Sequence, residues 1–152
     1  MSRSAAENAG RVLPRLASEF LRAGNQVAHG QAGPEDLHAF RLKAKRFRYT
    51  LELFRPCYAT GLEPRLAALR LVQEHLGQIS DCITALGVLE EAGVPRTGRG
   101  AMLYRFLDER MATKAAQFRQ YWRETFGKPG AEQWLTEYLR RFARERKPHN
   151  PV

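Results

Sequence analysis

The sequence lacks the features that mark disulfide-rich, zinc-binding and membrane-spanning proteins. Its 152 residues include only two cysteines, Cys57 and Cys82. They are far apart and have neither CxxC nor Cys/His spacing, so no disulfide framework or zinc site is indicated. No apolar run approaches the roughly 18 residues that a membrane span needs, and the first residues lack the apolar segment of a signal peptide. We therefore expect a cytoplasmic protein with reduced, packed thiols.

Negative charge is scarce. The 25 Lys and Arg residues exceed the 16 Asp and Glu residues, which gives a formal charge of +9 and a pI near 10.1. Such a surface attracts polyanions, so the candidate ligands are nucleic acid, an anionic membrane or a phosphate-rich molecule. A hydrophobic content of 43% suffices for one compact domain with a core. We expect a single domain over residues 1–152.

Signatures of catalysis are also missing. No Ser/His/Asp or Cys/His arrangement can be assigned, and no HExxH motif occurs. The sequence contains no carboxylate cluster that could bind the magnesium ions that phosphoryl transfer usually needs. Neither GxxxxGK[ST] nor GxGxxG occurs, so a glycine-rich phosphate loop is not indicated. The sequence predicts a protein that is not an enzyme and that has no cofactor and no metal site.

Strand patterns are absent, and helical periodicity covers nearly the whole chain. The predicted helices span residues 4–21, 35–54, 64–92, 101–126 and 131–145. The segment "GNQVAHGQAG", residues 24–33, has the composition of a loop, and residues 1–3 and 147–152 are expected to be frayed. Gly77 and Gly87, inside the third helix, are expected to mark close approach of another helix. Together these patterns predict an all-α protein, an antiparallel helical bundle of four long helices plus a shorter terminal helix.

Positive charge is concentrated in "LHAFRLKAKRFRYTLELF", where five Lys and Arg residues and one His fall within eleven positions. At 100° per residue, the apolar side chains form one arc that faces the core. This arc contains Leu37, Phe40, Ala44, Phe47, Leu51 and Phe54. A second stripe lies directly beside the arc and contains His38, Arg41, Lys45, Arg48 and Glu52. Lys43 and Arg46 point elsewhere on the helix.

This stripe places four potential cations in one row, where they repel one another unless an anion is present. Helical steps present one side chain per turn, roughly every 5.4 Å, and a phosphate chain can match that spacing. Arginine grips phosphate oxygens bidentately, lysine acts as a compact point charge, and histidine adds a hydrogen-bond donor. Alternatives stay open, since such rows are commonly solvated faces. Arg48 could pair with Glu52, and Asp81 or Glu74 could neutralise Arg41.

The same segment resembles the signature of the CHAD family, the conserved histidine α-helical domain, which has the form H-x-x-R-x-x-x-K-R-x-R-Y ahead of "LELF". The matching residues are His38, Arg41, Lys45, Arg46, Arg48 and Tyr49. The segment "LRLVQEHLGQISD" is similar to the family's L-K-x-L-Q-x-x-L-G-x-x-N-D, with Ser80 where Asn is usual. The matching residues there are Arg70, Gln73, Leu76, Gly77 and Asp81. "YWRETF" resembles a weaker W-x-x-F pattern, so the likeness runs from about Leu37 to Phe126.

The resemblance implies a helical bundle that binds inorganic polyphosphate without catalysis, in the cytoplasm and in association with polyphosphate granules. The implied binding residues are His38, Arg41, Lys45 and Arg48, helped by Arg46 and Arg70. Family members typically contain two repeats, whereas this chain has room for one, of the C-terminal type. A homodimer would rebuild the two-repeat unit. The alternatives are a nucleic-acid-binding basic module, with nucleic acid at least as a competitor, and a scaffold that docks an acidic partner.

Overall fold

The computed structural model describes residues 3–144, which form helices and no strand. The α-helices are α1 (Ala5–His29), α2 (Pro34–Leu53), α3 (Leu62–Glu91), α4 (Gly98–Thr125) and α5 (Tyr138–Arg141). A 3-10 turn, Arg55–Cys57, precedes α3, and a π-helical turn, Gln133–Glu137, precedes α5. The helices pack against one another, so the predicted all-α bundle of four long helices and a short terminal one is confirmed. The fraying expected at residues 1–2 and 147–152 falls outside the described residues.

Aromatic side chains from three helices meet in the centre of the core. The ring of Phe20 lies 5.6 Å from Phe40, 5.3 Å from Trp122 and 5.3 Å from Phe126. Gly24, one turn after Phe20, contacts Trp122, one turn before Phe126. Because the later residue of α1 meets the earlier residue of α4, these two helices run antiparallel. Large aromatic side chains supply much of the apolar area that this core buries.

Helix α1 extends beyond its predicted end, and the prediction of a loop at residues 24–33 was wrong for its first half. The helix continues to His29, and the buried side of the added segment includes Gly24, Val27 and Ala28. A Cβ atom at Gly24 would lie 1.9 Å from Cη2 of Trp122. The glycine is therefore required by the close packing of the indole, and helix packing overrides its low helix propensity.

The structure of residues 131–144 differs from the uniform helix predicted for residues 131–145. Residues 133–137 form a wide π-helical turn, and α5 ends at Arg141. Arg65 of α3 donates a hydrogen bond from Nε to the Trp134 carbonyl, 2.7 Å away, and its guanidinium lies 3.7 Å from the Tyr138 ring centroid. Burial lowers the pKa of Arg65, although Tyr138 opposes this shift. Because Arg65 donates a hydrogen bond to a backbone carbonyl of this turn, a side chain distant in sequence stabilises the irregular helix.

None of the helices in the described part of the chain is both long enough and apolar enough to cross a bilayer.

Candidate anion-binding face

Helix α2 begins where the sequence predicts a helix start and presents its apolar arc to the core. Pro34 occupies the first turn, and the Asp36 carboxylate accepts a hydrogen bond from the Gly33 N–H at 3.3 Å. Both features favour a helix N-terminus. The buried residues of α2 are Phe40, Ala44, Phe47 and Leu51. The arc predicted from periodicity is thus the buried face, and this fixes the direction of every charged side chain on α2.

The predicted row of cations lies along the flank of α2 that faces α3. Arg41 and Arg48 are half-buried, and His38 and Lys45 are exposed. Glu52 of the same row accepts a hydrogen bond from Nη2 of Arg70 on α3, at 3.3 Å. Because Glu52 belongs to the row, this contact places the row beside α3. We call this flank of α2, together with the adjoining side of α3, the basic face.

Arg48 has a polar atom that no group in the structure satisfies. Its Nε is buried and without a hydrogen-bond partner among residues 3–144, because the nearest carboxylate oxygen, Oε1 of Glu52, is 4.0 Å away. A buried donor without an acceptor is energetically costly, by about 1–3 kcal/mol. A phosphate oxygen that reached this side chain could accept from Nε.

A second buried polar atom without a partner belongs to Gln73 on α3. Gln73 follows Arg70 by three residues and so shares its side of the helix. Helices α2 and α3 pack against each other and are joined by the short segment 54–61, as in an antiparallel pair. In such a pair, the next turn of each helix from the Glu52–Arg70 contact brings Arg48 and Gln73 to about the same level. The unpartnered atom is Oε1, and a 180° flip of the amide would present Nε2, a donor, at the same place. Gln73 is absent from the predicted binding residues, although it lies in the motif of α3.

Gly77, one turn beyond Gln73, leaves the surface of α3 open. A Cβ atom at this position would meet no atom within 4 Å, and the same holds for Gly87. The expectation that these glycines mark close helix approach was therefore wrong. In the antiparallel register Gly77 lies level with Lys45, so the space beside this lysine is not filled by an α3 side chain.

The exposed ring of Tyr49 lies between two cations of the row. Nζ of Lys45 is 5.7 Å from the ring centroid, and Cζ of Arg48 is 5.0 Å from it. Cation–π contacts of this kind contribute about 0.5–1 kcal/mol at exposed sites. Tyr49 thus holds both cations near the surface of the basic face.

Arg46 lies on the opposite flank of α2 and is not brought together with the other predicted binding residues. With Lys43, Leu16 and Glu19 it lines a cavity of about 250 Å³ between α1 and α2. Arg70 does join the row, through Glu52. The structure therefore groups His38, Arg41, Lys45, Arg48 and Arg70, and it separates Arg46 from them.

The charges of the row are only partly compensated. Glu52 contacts both Arg48 and Arg70. None of the ion pairs found within residues 3–144 includes His38, Arg41 or Lys45, so neither Asp81 nor Glu74 neutralises Arg41. In the same part of the chain, no three His, Cys, Asp or Glu side chains come together as a metal site. The basic face can therefore hold an anion by charge and hydrogen bonding.

Comparison with known proteins yields one family. The sequence model of the family described as "CHAD domain" matches residues 1–90. This range is more than half of the chain and contains both motifs of the basic face. The W-x-x-F pattern near Trp122 lies outside the matched range. No curated protein and no solved structure matches the chain.

Proposed function

Since the chain belongs to the CHAD family, we propose that it binds inorganic polyphosphate along the basic face. CHAD domains are associated in general with polyphosphate binding. The observation that carries the proposal is the row of α2, in which Arg41 and Lys45 lack an ion pair within the described residues and half-buried Arg48 has a buried Nε without an acceptor. The row thus offers charge and a hydrogen-bond donor to a chain of phosphates.

The spacing of the row supports a repeating ligand. Side chains three and four residues apart lie about 5–6 Å from each other at Cβ, and two unit charges at about 6 Å in water repel by about 0.7 kcal/mol. A phosphate chain that follows the helix replaces this repulsion with attraction at each turn. Arg41 and Arg48 would grip phosphate oxygens, Lys45 would supply a point charge, and Arg70 would complete the row from α3.

The finer parts of the proposal extend what the family resemblance and the single repeat suggest. Binding is non-covalent and non-catalytic, the protein is cytoplasmic and associates with polyphosphate granules, and two copies form a homodimer. Prolonged incubation of polyphosphate with the protein should leave its chain length unchanged on a gel. Shortened chains would contradict the non-catalytic part of the proposal and leave the binding part intact.

Single-stranded nucleic acid is the second candidate ligand, and Tyr49 is the observation that favours it. Stacking of bases on exposed aromatic rings within a basic surface is the usual mode of sequence-tolerant binding to single strands. Tyr49 is exposed and lies between two cations of the row. Replacement of Tyr49 by Leu should weaken binding to single-stranded DNA more than binding to polyphosphate, because polyphosphate has no base to stack.

A salt titration distinguishes the candidates. Long-chain polyphosphate, single-stranded DNA and double-stranded DNA would be compared at equal phosphate concentration, with dissociation constants measured from low to high salt. Binding to a shaped phosphate-chain site should survive salt levels that release both DNAs. Equal and steeply salt-dependent binding to all three ligands would indicate a generic basic surface and would overturn the proposal. Stronger retention of single-stranded DNA would favour the second candidate.

A further inference from the structure

The hairpin formed by the end of α3 and the start of α4 differs from the rest of the molecule. We call residues 83–111 the hairpin tip. It contains eleven Ile, Leu, Val, Met, Phe and Tyr residues, of which only Tyr104 is buried. The Tyr104 hydroxyl donates to the Val94 carbonyl at 3.0 Å and closes the turn. Four of these side chains, Val88, Met102, Leu103 and Phe106, are exposed, and most of the others are only half-buried.

The hairpin tip is uncovered because it projects past the other helices. Helix α1 ends five residues, about 7.5 Å, after Gly24, whereas α4 extends 24 residues, about 36 Å, from Trp122 back to its start. The rings of Phe40 and Phe118 are in contact. From this contact, α2 extends only six residues back to its start, whereas α4 extends twenty. Neither α1 nor α2 therefore reaches the far part of the hairpin tip.

The apolar side chains of the tip expose large fractions of their surface. Met102 is 70% exposed, Phe106 61%, Val88 56% and Leu103 49%. Side chains of about phenylalanine size present roughly 200 Å² each, so these four leave on the order of 400 Å² of apolar area in water. Half-buried side chains such as Leu107 and Met111 add to this area. Exposed apolar patches of a few hundred Å² on a monomer are often functional, and this one is a candidate for an interaction surface.

The charge of the tip identifies the kind of partner. The tip contains four arginines, two aspartate or glutamate residues on each of its helices, and no lysine, so its formal charge is zero. The whole chain carries +9, and the remaining residues therefore carry all of it. The net positive charge of the remaining residues disfavours contact between two copies there. At the tip two copies can meet without net repulsion, and Arg105 and Arg110 flank Asp108 and Glu109 along one helix.

We propose that the hairpin tip is the interface with a second copy of this chain. Two hairpins that pack across a two-fold axis form a four-helix bundle, in which Met102 and Phe106 of each copy are buried. Within residues 3–144, none of Arg105, Asp108, Glu109 and Arg110 forms an ion pair in the single chain. The two-fold arrangement lets these opposite charges pair across the interface.

The expected affinity follows from the size of the tip. One face of the tip, with its polar rim, buries about 500 Å² on each copy, so the interface totals about 1,000 Å² and lies at the lower end for specific association. The dimer should therefore be weak, with a dissociation constant in the micromolar range. This inference rests on exposure and charge at the tip and is independent of what the basic face binds.

Light scattering and sedimentation over a range of protein concentrations test the proposal. The mass of the unaltered protein should rise from 17.4 kDa towards twice that value as its concentration increases, and it should do so in high salt as well as low. The double variant M102E/F106E should remain monomeric at every concentration. L53E is the matched control, because Leu53 is 76% exposed but lies at the end of α2, away from the tip. It should dimerise like the unaltered protein.

Two results would overturn the proposal. A mass of one chain at all concentrations, into the hundreds of micromolar, would show that a second copy does not cover the tip. Unchanged dimerisation of M102E/F106E would place the dimer interface elsewhere. Circular dichroism checks that the double variant stays folded, and because both side chains are exposed, helicity should match that of L53E.

Discussion

The basic face and the hairpin tip lie on two consecutive helix pairs, α2–α3 and α3–α4, and have opposite physical character. The basic face contains half-buried and exposed cations, of which Arg41 and Lys45 lack an ion pair within residues 3–144. The tip has no net charge and exposes Met102 and Phe106. Salt weakens attraction between exposed charges, whereas it does not weaken apolar burial. Ligand binding and self-association should therefore respond to salt in different ways.

This difference is what would let one strongly basic chain both bind a polyanion and pair with itself, as we propose. If positive charge were spread evenly, every surface that attracted phosphate would repel a second copy. The chain instead confines its net charge of +9 to residues outside 83–111. Separation of the two surfaces along α3 makes each of them testable without disturbing the other.

The largest effect is expected from removal of the central cations of the basic face. R41A/K45A should weaken polyphosphate binding by about 100-fold, since hydrogen bonds to charged groups contribute about 1.5–3 kcal/mol each. Helicity should be unchanged, because both residues lie off the buried arc. Isothermal titration calorimetry at fixed salt measures the dissociation constants, and sedimentation checks that dimerisation persists.

K43A/R46A is the matched control for this variant, because it removes the same charge from the opposite flank of the same helix. It should weaken binding by less than about 5-fold, through the general potential alone. Equal losses in both variants would mean that net charge, and not the row, determines affinity. They would also return Arg46 to the binding residues.

The sequence patterns predicted α2 almost completely. Where they failed to predict other parts of the fold, the failures have physical causes. The buried arc of α2 follows from a period that one helix contains by itself. The continuation of α1 to His29 depends on Trp122, nearly a hundred residues away, which requires Gly24 to lack a side chain. The π-helical turn likewise depends on Arg65. Patterns within one helix predict which side is buried, but not which distant side chain fills a gap.

The same reasoning applies to the binding residues. The row of α2 could be read from spacing, and the structure places it together. Gln73 was not among the predicted residues because an amide in a helix gives no charge signal, and it becomes a candidate only through its buried Oε1, which lacks a partner among residues 3–144. Arg46 was included because the family motif contains it, although its helical position already directed it away from the row.

A glutamate at each open glycine of α3 sharpens the comparison between the two surfaces. G77E places a negative charge level with Lys45 and should weaken polyphosphate binding by about 10-fold, or about 1.4 kcal/mol. G87E adds the same charge at the tip, where a Cβ atom also meets nothing within 4 Å, and should leave this affinity nearly unchanged. Both constants are measured by calorimetry. Similar losses in the two variants would contradict the localisation of the ligand beside Gly77.

Alanine at the same two positions should stabilise the protein. Gly77 and Gly87 lie within α3, and glycine costs a helix interior about 0.5–1 kcal/mol relative to alanine. Because a methyl group at either position meets no neighbour, G77A and G87A should each raise the free energy of unfolding by about that amount in urea denaturation. Destabilisation by G77A would show that the basic face is closely packed there, and polyphosphate would then need another path.

The smallest effect concerns His75, which lies on α3 and contacts Tyr121 of α4, with 5.1 Å between ring centroids. Burial lowers the pKa of His75, and Glu74 opposes this shift while Lys114 adds to it. The unfolded chain therefore binds a proton more readily than the folded one, so the contribution of this histidine to stability is present above pH 6.5 and is lost as the pH falls below it. H75F keeps the ring contact and removes the titration. Urea denaturation of both proteins from pH 7.5 to 5 should show a shallower loss of stability in H75F, and parallel curves would mean that acid acts on the fold through other groups.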